Sequence, residues 1–349
     1  MTHLTFLEAA VVGLIQGVSE MFPVSSLGHN VLIPALVGGS WARDLNVATP
    51  ESPYLAFIVG LHVATAVALL VYFWRDWVRI IGGFFSSIRD RSVATDDQRL
   101  AWMIVLATIP VGIAGLAFEH AFRVIFGKPV YAAIFLAVNG VILIAGERYR
   151  TRASLAADAA IAAERRPAPA AAARQREFTA SGRPPGFTPA GRPAPPAGRH
   201  RSGGQAGRPL EMADAVRSDQ RLATMGYPQV VAVGSAQILA LLAGISRDGV
   251  AMVAGMTRGL SREDAARFAF LLATPVILAA GALKIPDLFG PLGNGIRGQI
   301  LLASVLSGIG AYLSVRFLLR YLRTRTLTPF GVYCLVAGLA SVIYLGLIK

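Results

Sequence analysis

The sequence is poor in the residues with which soluble proteins cover their surfaces. Charged residues make up 15% of the 349 positions and hydrophobic residues 54%, with a mean hydropathy of +0.55, whereas soluble domains carry about 25% charged residues. A single cysteine, Cys334, excludes an internal disulfide and any metal cluster built from cysteines. The N-terminus lacks the basic stretch and the cleavage site of a signal peptide, and it carries Glu8, so we expect it to be retained.

Long runs without a charged residue predict transmembrane helices. A bilayer core is crossed by about 20 apolar residues in a helix, and each crossing must be helical because no water is present there to bond the backbone. A soluble helical protein would show amphipathic stripes instead. The sequence therefore predicts an all-α polytopic membrane protein with six transmembrane helices, at residues 53–74, 100–118, 129–147, 265–285, 298–317 and 327–348.

Basic residues are concentrated in three connections, and this asymmetry predicts the orientation. Five arginines lie in residues 75–99, fourteen between Arg148 and Arg221, and four in residues 316–325, while the opposite connections hold few basic residues. Because cytoplasmic loops carry the excess of arginine and lysine, we place these three connections in the cytoplasm and both termini outside.

The longest connection, residues 148–222, has the composition of a disordered cytoplasmic loop. It holds fourteen arginines against six acids and is rich in proline, alanine and glycine, so it cannot bury a core. A solvated linker without a nucleic-acid partner is the favoured interpretation. Binding of nucleic acid or of anionic lipid by this loop is the alternative.

Two further apolar stretches, residues 6–37 and 226–257, are each too long for one helix and are broken near the middle, at Pro23 and Gly244. If each crossed the membrane once, the basic connections would no longer share one side. We therefore predict two re-entrant helical hairpins that enter from opposite faces. Irregular backbone at membrane depth is tolerated where it is buried in protein or lines a cavity.

A short internal repeat supports this arrangement. Residues 16–28 align without gaps with residues 237–249, and glutamine, serine and glycine recur at identical spacing. Each copy precedes three crossings, so the halves, residues 1–147 and 223–349, form an inverted-topology repeat. Such repeats place the functional site at their interface, where broken helices meet near the membrane midplane.

The first break contains a carboxylate, two hydroxyls and an imidazole within a short stretch of sequence. Pro23 ends one helix, and the next begins where unpaired backbone amides favour anions. Ionisable groups inside a membrane are costly and are generally functional. The predicted site residues at this break are Glu20, Ser25, Ser26 and His29, of which Ser25 is expected to bind phosphate. His62 lies in a predicted crossing without a comparable cluster of ionisable and hydroxyl groups, and we expect it to be a packing residue.

The second break contains an arginine in an apolar run. The planar guanidinium of Arg247 suits phosphate oxygens, and Gly244 and Gly249 permit a close approach of the backbone to a ligand. We predict that these residues and Ser246 bind phosphate. The alternative is a structural ion pair of Arg247 with Asp248 or Glu20.

The two segments resemble the signatures of the bacitracin-resistance type undecaprenyl-diphosphatases. That family carries an acidic residue, three positions, a glutamate, then Pro-Val-Ser-Ser-Thr-Gly-His, and later Pro-Gly-x-Ser-Arg-Ser-Gly. The matching residues here are Pro23-Val24-Ser25-Ser26 with Gly28-His29, and Gly244-x-Ser246-Arg247. The resemblance extends across the hydrophobic chain, including residues 268–275, and leaves out the 148–222 loop.

The resemblance implies a hydrolase that converts undecaprenyl diphosphate to undecaprenyl phosphate and inorganic phosphate. Such an enzyme recycles the lipid carrier for peptidoglycan synthesis and gives bacitracin resistance. It also implies a divalent cation, Mg²⁺ or Ca²⁺, and a site open to the outer face of the bacterial plasma membrane. Apart from the resemblance, a homodimer is the assembly that we consider. By position, the matched catalytic residues are Glu20, Ser26, His29 and Arg247.

The sequence departs from the family pattern at four positions: Gln16 replaces the first acid, Leu27 a threonine, Ala243 a proline and Asp248 a serine. Loss of a carboxylate at position 16 should weaken metal binding, since hard divalent cations prefer charged oxygens. We infer that Asp248 compensates, which makes Glu20, Asp248 and Gln16 the candidate metal ligands.

Two other functions remain open. A divergent paralogue would have weak or different activity. A polyprenyl-phosphate flippase would use the same inverted repeats and hairpins, but it needs only anion recognition, whereas Glu20, Ser26 and His29 together suit hydrolysis by attack of the serine or of a metal-bound water. An acid-phosphatase-like lipid phosphatase is rejected, because it needs a histidine soon after the arginine and the chain has none after His200.

Overall fold

The computed structural model describes residues 4–45, 53–126, 128–164, 217–289 and 295–347, and these residues form helices without a β-strand. A 3₁₀ segment spans Gln237–Leu241, and residues 217–223 are helical. The α-helices are α1 (Phe6–Met21), α2 (Ser26–Val37), α3 (Gly39–Asp44), α4 (Pro53–Tyr72), α5 (Trp74–Asp90), α6 (Asp96–Phe126), α7 (Pro129–Glu164), α8 (Tyr227–Ala236), α9 (Arg247–Thr257), α10 (Arg262–Phe289), α11 (Arg297–Leu322) and α12 (Thr328–Leu347).

Five helices, α6, α7, α10, α11 and α12, are long and apolar enough to cross a membrane. A sixth crossing results if α4 and α5, which are bent by 85° at a short break, are counted as one span. The prediction of an all-α polytopic membrane protein is therefore confirmed, with crossings in the expected order.

Both predicted hairpins contain a helix break at the expected place. In the first, the backbone amide of Phe22 still bonds to Val18, and α2 then begins at Ser26. In the second, the 3₁₀ segment follows α8 and a non-helical stretch precedes α9. Pro23 and Gly244, which has a φ of +111°, explain why neither helix continues. Re-entry of the hairpins into a membrane stays a prediction.

Equivalent residues of the two breaks make equivalent hydrogen bonds. The hydroxyl oxygen of Ser25 accepts from the amide of Gly28 at 3.2 Å, and that of Ser246 accepts from the amide of Gly249 at 3.1 Å. Each serine is thus the N-cap of the second helix in its hairpin. The aligned serines therefore make the same capping bond, although their backbones differ, with a φ of +67° at Ser25 and −83° at Ser246.

The helix packing follows the same symmetry. α1 packs against α11 of the other half, and α8 packs against α6. Gly13 of α1 lies against the backbone carbonyl of Ala303, and Gly234, its equivalent in the repeat, lies against that of Ala107. Small residues permit such close approach of membrane helices. This exchange of partners supports the inverted-topology repeat.

The predicted disorder of residues 148–222 is wrong at both ends. α7 continues to Glu164, because its alanine-rich extension favours helix. Residues 217–223 are also helical, and ion pairs of the buried Asp219 with Arg79 at 2.5 Å and Arg267 at 2.9 Å hold this segment against α5 and α10. Residues 165–216 lie outside the described residues.

The basic connections meet at one end of the molecule. Arg267, near the start of α10, also contacts Asp76 of α5 at 3.0 Å. Arg323, just after α11, pairs with Glu263 of α10 at 2.8 Å. Residues 75–99 and 316–325 therefore lie at the same end, as the predicted orientation requires. Within the first of them lies α5, a helix that the sequence analysis did not identify.

Candidate active site

Glu20 lies where the two hairpins meet and is 7% exposed. One carboxylate oxygen, Oε1, accepts from Nη2 of Arg247. The other, Oε2, accepts from the hydroxyl of Ser26 and from Nε2 of Gln16 at 2.9 Å, and lies 3.2 Å from Nε2 of His62. Four side chains from four helices therefore converge on one buried carboxylate.

Helix ends create this convergence. Glu20 is in the last turn of α1, Ser26 is the first residue of α2, and Arg247 is the first residue of α9. Since the first amides of a helix have no partner within it, the starts of α2 and α9 also favour an anion. The predicted meeting of Glu20, Ser26 and Arg247 is thus observed in the structure.

Arg247 keeps a free donor although it binds Glu20. Its Nε is buried and has no hydrogen-bond partner among the residues that the structure describes. Leaving a guanidinium donor unsatisfied costs free energy, so this atom can bond to an oxygen of an anionic ligand. The arginine can hold Glu20 and a phosphate at once.

Gln16 connects Glu20 to α2. Its carbonyl oxygen accepts from Nδ2 of Asn30 at 2.6 Å, while its nitrogen donates to Glu20. Because Asn30 has an amide donor to offer, the network assigns the orientation of the Gln16 amide. Neither end of the side chain is turned to free space.

The hydroxyl oxygens of Ser25 and Ser246, which were predicted to bind phosphate, accept from backbone amides. Besides capping α2, Ser25 accepts from the amide of Gly244 at 3.2 Å and so joins the two breaks. Ser25 has a φ of +67°, a conformation rare for residues other than glycine. Its side chain therefore fixes the contact between the hairpins.

Asn139, which the sequence analysis missed, also joins the two breaks. From α7 its Nδ2 donates to the carbonyl of Pro23 at 2.9 Å, and its Oδ1 accepts from the amide of Ser246 at 3.0 Å. Asn139 is fully buried. The available signal was an asparagine in the middle of an apolar crossing, where polar side chains bond across helices.

The contacts of His29 and His62 are the reverse of those expected. The ring nitrogens of His29 lie 2.8 Å from the carbonyl oxygen of Ser25 and 2.7 Å from the hydroxyl of Tyr333, on which the ring stacks. Neither nitrogen bonds to Ser26 or Glu20. His62, expected to be a packing residue, contacts Glu20 instead, so that expectation is wrong. The rotation of α4, which the sequence does not specify, decides this contact.

Comparison with known proteins identifies the family. The family model described as bacitracin resistance protein BacA matches residues 9–166 and 206–340. This chain belongs to the BacA family. The resemblance inferred from the two motifs is therefore confirmed, and the match omits part of the arginine-rich connection.

Bacterial relatives of this BacA-family chain are named undecaprenyl-diphosphatases. This chain is 56% identical over 345 residues to the undecaprenyl-diphosphatase of Mycolicibacterium paratuberculosis, with 99% of both chains covered. Identity to undecaprenyl-diphosphatase 2 of Frankia alni is 52% over 351 residues, 97% of each chain. Identity to undecaprenyl-diphosphatase 2 of Burkholderia lata is 38% over 326 residues, 93% of this chain and 91% of the relative.

The predicted metal ligands of this BacA-family chain differ in what they can offer a cation. No group of three or more histidine, cysteine, aspartate or glutamate side chains suited to a metal occurs in the described ranges. The polar atoms of Glu20 and Gln16 are occupied by the partners given above. Asp248 is 2% exposed, and neither carboxylate oxygen has a hydrogen-bond partner among the described side chains and backbone. A buried carboxylate without a hydrogen bond is costly, so of the three predicted ligands Asp248 is the one with oxygens left to offer a cation.

Proposed function

We propose that this protein hydrolyses undecaprenyl diphosphate to undecaprenyl phosphate and inorganic phosphate. This activity would recycle the lipid carrier for peptidoglycan synthesis and give resistance to bacitracin. Membership of the BacA family and the names of the relatives support the substrate. The observation that carries the proposal is the contact of Glu20 with both Ser26 and Arg247, which unites the two hairpins in one polar site.

Arg247 is the residue that we propose to hold the diphosphate. Its free Nε and the first amides of α2 and α9 supply donors in a site from which most water is excluded, where such donors are strongest. Phosphoryl transfer depends chiefly on positioning and on stabilisation of the charge that develops on the phosphate oxygens. Arg247 suits both tasks.

Ser26 is the proposed nucleophile, with Glu20 as its base, because the hydroxyl already donates to this carboxylate. The serine oxygen bonds to the terminal phosphorus, the bond from phosphorus to the bridging oxygen breaks, and undecaprenyl phosphate leaves. The hydroxyl proton passes to Glu20. Water then attacks the phosphoserine, the proton returns from Glu20 to the serine oxygen, and inorganic phosphate is released.

His62 and His29 have different proposed tasks. His62 holds Glu20 from the side of α4, and His29 holds the backbone at Ser25. A divalent cation, when bound, would neutralise part of the diphosphate charge, and Asp248 is the residue with free oxygens to hold it. Calorimetric titration of Mg²⁺ and Ca²⁺ into the wild type and Asp248→Ser tests this assignment without an activity assay.

The proposed location is the bacterial plasma membrane, with the site open to the outer face and the basic end in the cytoplasm. The clustering of arginines at one end of the molecule supports this orientation. Ser202→Cys should be labelled only from the cytoplasmic side, and labelling from outside in intact cells would refute it. Homodimer formation stays a prediction.

Phosphate release by the purified protein in detergent tests the proposed function. With undecaprenyl diphosphate, the wild type should release inorganic phosphate and Glu20→Gln should not, while His200→Gln, in the arginine-rich connection, serves as the control. A folded wild type that binds the lipid without releasing phosphate would favour the flippase. Release from other diphosphates alone would favour a divergent paralogue.

A further inference from the structure

Helix α5 exposes a continuous apolar stripe that no other element covers among the residues that the structure describes. Its large hydrophobic residues recur at alternating intervals of four and three positions, which places them on one face of a helix. Each of these side chains is between 49% and 65% exposed: Trp74, Val78, Ile81, Phe85 and Ile88.

The remaining surface of α5 divides into two further faces. One is buried against α6, where Gly83 lies close to the backbone of Asp97 and Ser87 accepts from the indole of Trp102 at 2.9 Å. The other is polar and exposed and carries Arg75 and Arg89, of which Arg89 pairs with the adjacent Asp90 at 2.9 Å. The helix therefore has a protein face, an apolar face and a basic face, as interfacial membrane helices do.

The angle of α5 fits a position along the membrane surface. Of the bent pair, α4 alone is long enough for the sixth crossing, because its 20 residues at 1.5 Å per residue give a length of about 30 Å, that of a bilayer core. α5 then turns by 85°. At this turn, the ion pairs of Asp76 with Arg79 and Arg267 mark the polar end of the molecule.

An apolar groove runs beside the stripe. It has a volume of about 290 Å³. Its lining comes from α5, α6 and α10: Trp77, Ile80, Ile81, Phe84, Phe85, Ala101, Ile104, Val105, Thr108 and Pro275. Val105 also begins the exposed line of α6 that continues with Ile109 and Ile113. The groove is therefore continuous with a surface that must face lipid chains if α6 crosses the membrane.

We propose that α5 lies in the plane of the membrane at the basic end of the molecule and binds an anionic phospholipid. An acyl chain fills the groove, and the headgroup phosphate lies on the side of Arg75, which is exposed and stacks over the ring of Trp74 at 5.3 Å. Charge complementarity selects the headgroup, since an arginine near an anionic membrane surface contributes about fivefold in affinity.

Spin-label accessibility tests the position of α5. Ile81→Cys, on the apolar face, and Arg89→Cys, on the basic face, are labelled in a Cys334→Ala background in vesicles with anionic lipid. The label at position 81 should be relaxed by oxygen and protected from a water-soluble nickel complex, with the reverse at position 89. Accessibility of both positions to the nickel complex would overturn the proposal.

Quenching by brominated lipids tests the headgroup. Trp41→Phe and Trp102→Phe leave Trp74 and Trp77 as the emitting tryptophans, and vesicles mix neutral and anionic lipids with bromine on one or the other. Brominated anionic lipid should quench more, and Arg75→Gln should lower this preference about fivefold. Arg43→Gln, on α3, is the matched control. Equal quenching by the two lipids would refute the selection of an anionic lipid.

Discussion

The two helix breaks share a serine N-cap but differ in how their polar groups are satisfied. At the first, Gln16 is bonded at both ends and Glu20 accepts from several donors. At the second, Gln237, the repeat equivalent of Gln16, is 1% exposed and neither atom of its amide has a hydrogen-bond partner in the described part of the chain. Both oxygens of Asp248 likewise lack a hydrogen-bond partner among the described residues.

This difference indicates that the two breaks have different roles in the site. A buried polar group with all its hydrogen bonds made keeps its neighbours in fixed positions. A buried polar group without a hydrogen bond is costly until a ligand provides one. We therefore interpret the first break as the preorganised part of the site. We infer that the second supplies the groups that a ligand or cation would complete, namely Arg247 Nε and Asp248.

The largest expected effect concerns Arg247, the residue that links the breaks. Arg247→Ala should lower phosphate release at least about 100-fold, the loss typical of a removed transition-state donor. Arg247→Lys should recover little, because a point charge cannot reproduce the planar fork. Arg258→Ala, an exposed position after α9, is the control. Near-normal turnover of Arg247→Ala would place the site elsewhere.

The next effect concerns cation binding at the second break. Asp248→Ser should raise the Mg²⁺ or Ca²⁺ concentration needed for activity, and Gln16→Glu in that background should lower it again. If both positions face one cation, the double-mutant cycle should give a coupling of about 0.5–3 kcal/mol. Additive effects would assign Asp248 to the start of α9 alone, where a carboxylate favours the helix dipole.

A smaller effect should distinguish Gln16 from Gln237 by what each contributes to the free energy of unfolding. Gln16→Leu removes a bonded amide and should lower the free energy of unfolding by about 1–3 kcal/mol, because Asn30 and Glu20 lose a partner. Gln237→Leu removes an unbonded amide and should be neutral or stabilising. Melting temperatures in one detergent measure both. Equal losses would mean that Gln237 has a partner in the folded protein.

The smallest effect is expected for the arginine-rich connection. Deletion of residues 167–205, which the BacA family model does not match, should leave phosphate release unchanged. A deletion that reaches residue 219 should lower stability, because Asp219 pairs with Arg79 and Arg267. Loss of hydrolysis by the shorter deletion, with normal membrane insertion, would assign this connection a part in catalysis.

The sequence predicted the features that depend on spacing along the chain. The breaks at Pro23 and Gly244 and the order of the crossings follow from local patterns. The meeting of Glu20, Ser26 and Arg247 followed from the repeat, because aligned breaks of an inverted repeat face each other.

Features that depend on the rotation of one helix against another were missed. The contact of His62 with Glu20 and the bridge formed by Asn139 require knowledge of which side of α4 and α7 faces the breaks. The stripe of α5 was present in the sequence, but its arginines gave the segment the composition of a connection. The buried role of Asp219 depends on partners far away in the chain.

The central claim is that the Glu20–Arg247 pair serves catalysis and is more than a structural ion pair. The most direct measurement is phosphate release and melting temperature of the double variant Glu20→Gln with Arg247→Gln, in which both charges are removed together and neither is left buried alone. The account predicts a folded protein with less than about 1% of the wild-type rate. A double variant that releases phosphate at a near wild-type rate would contradict it.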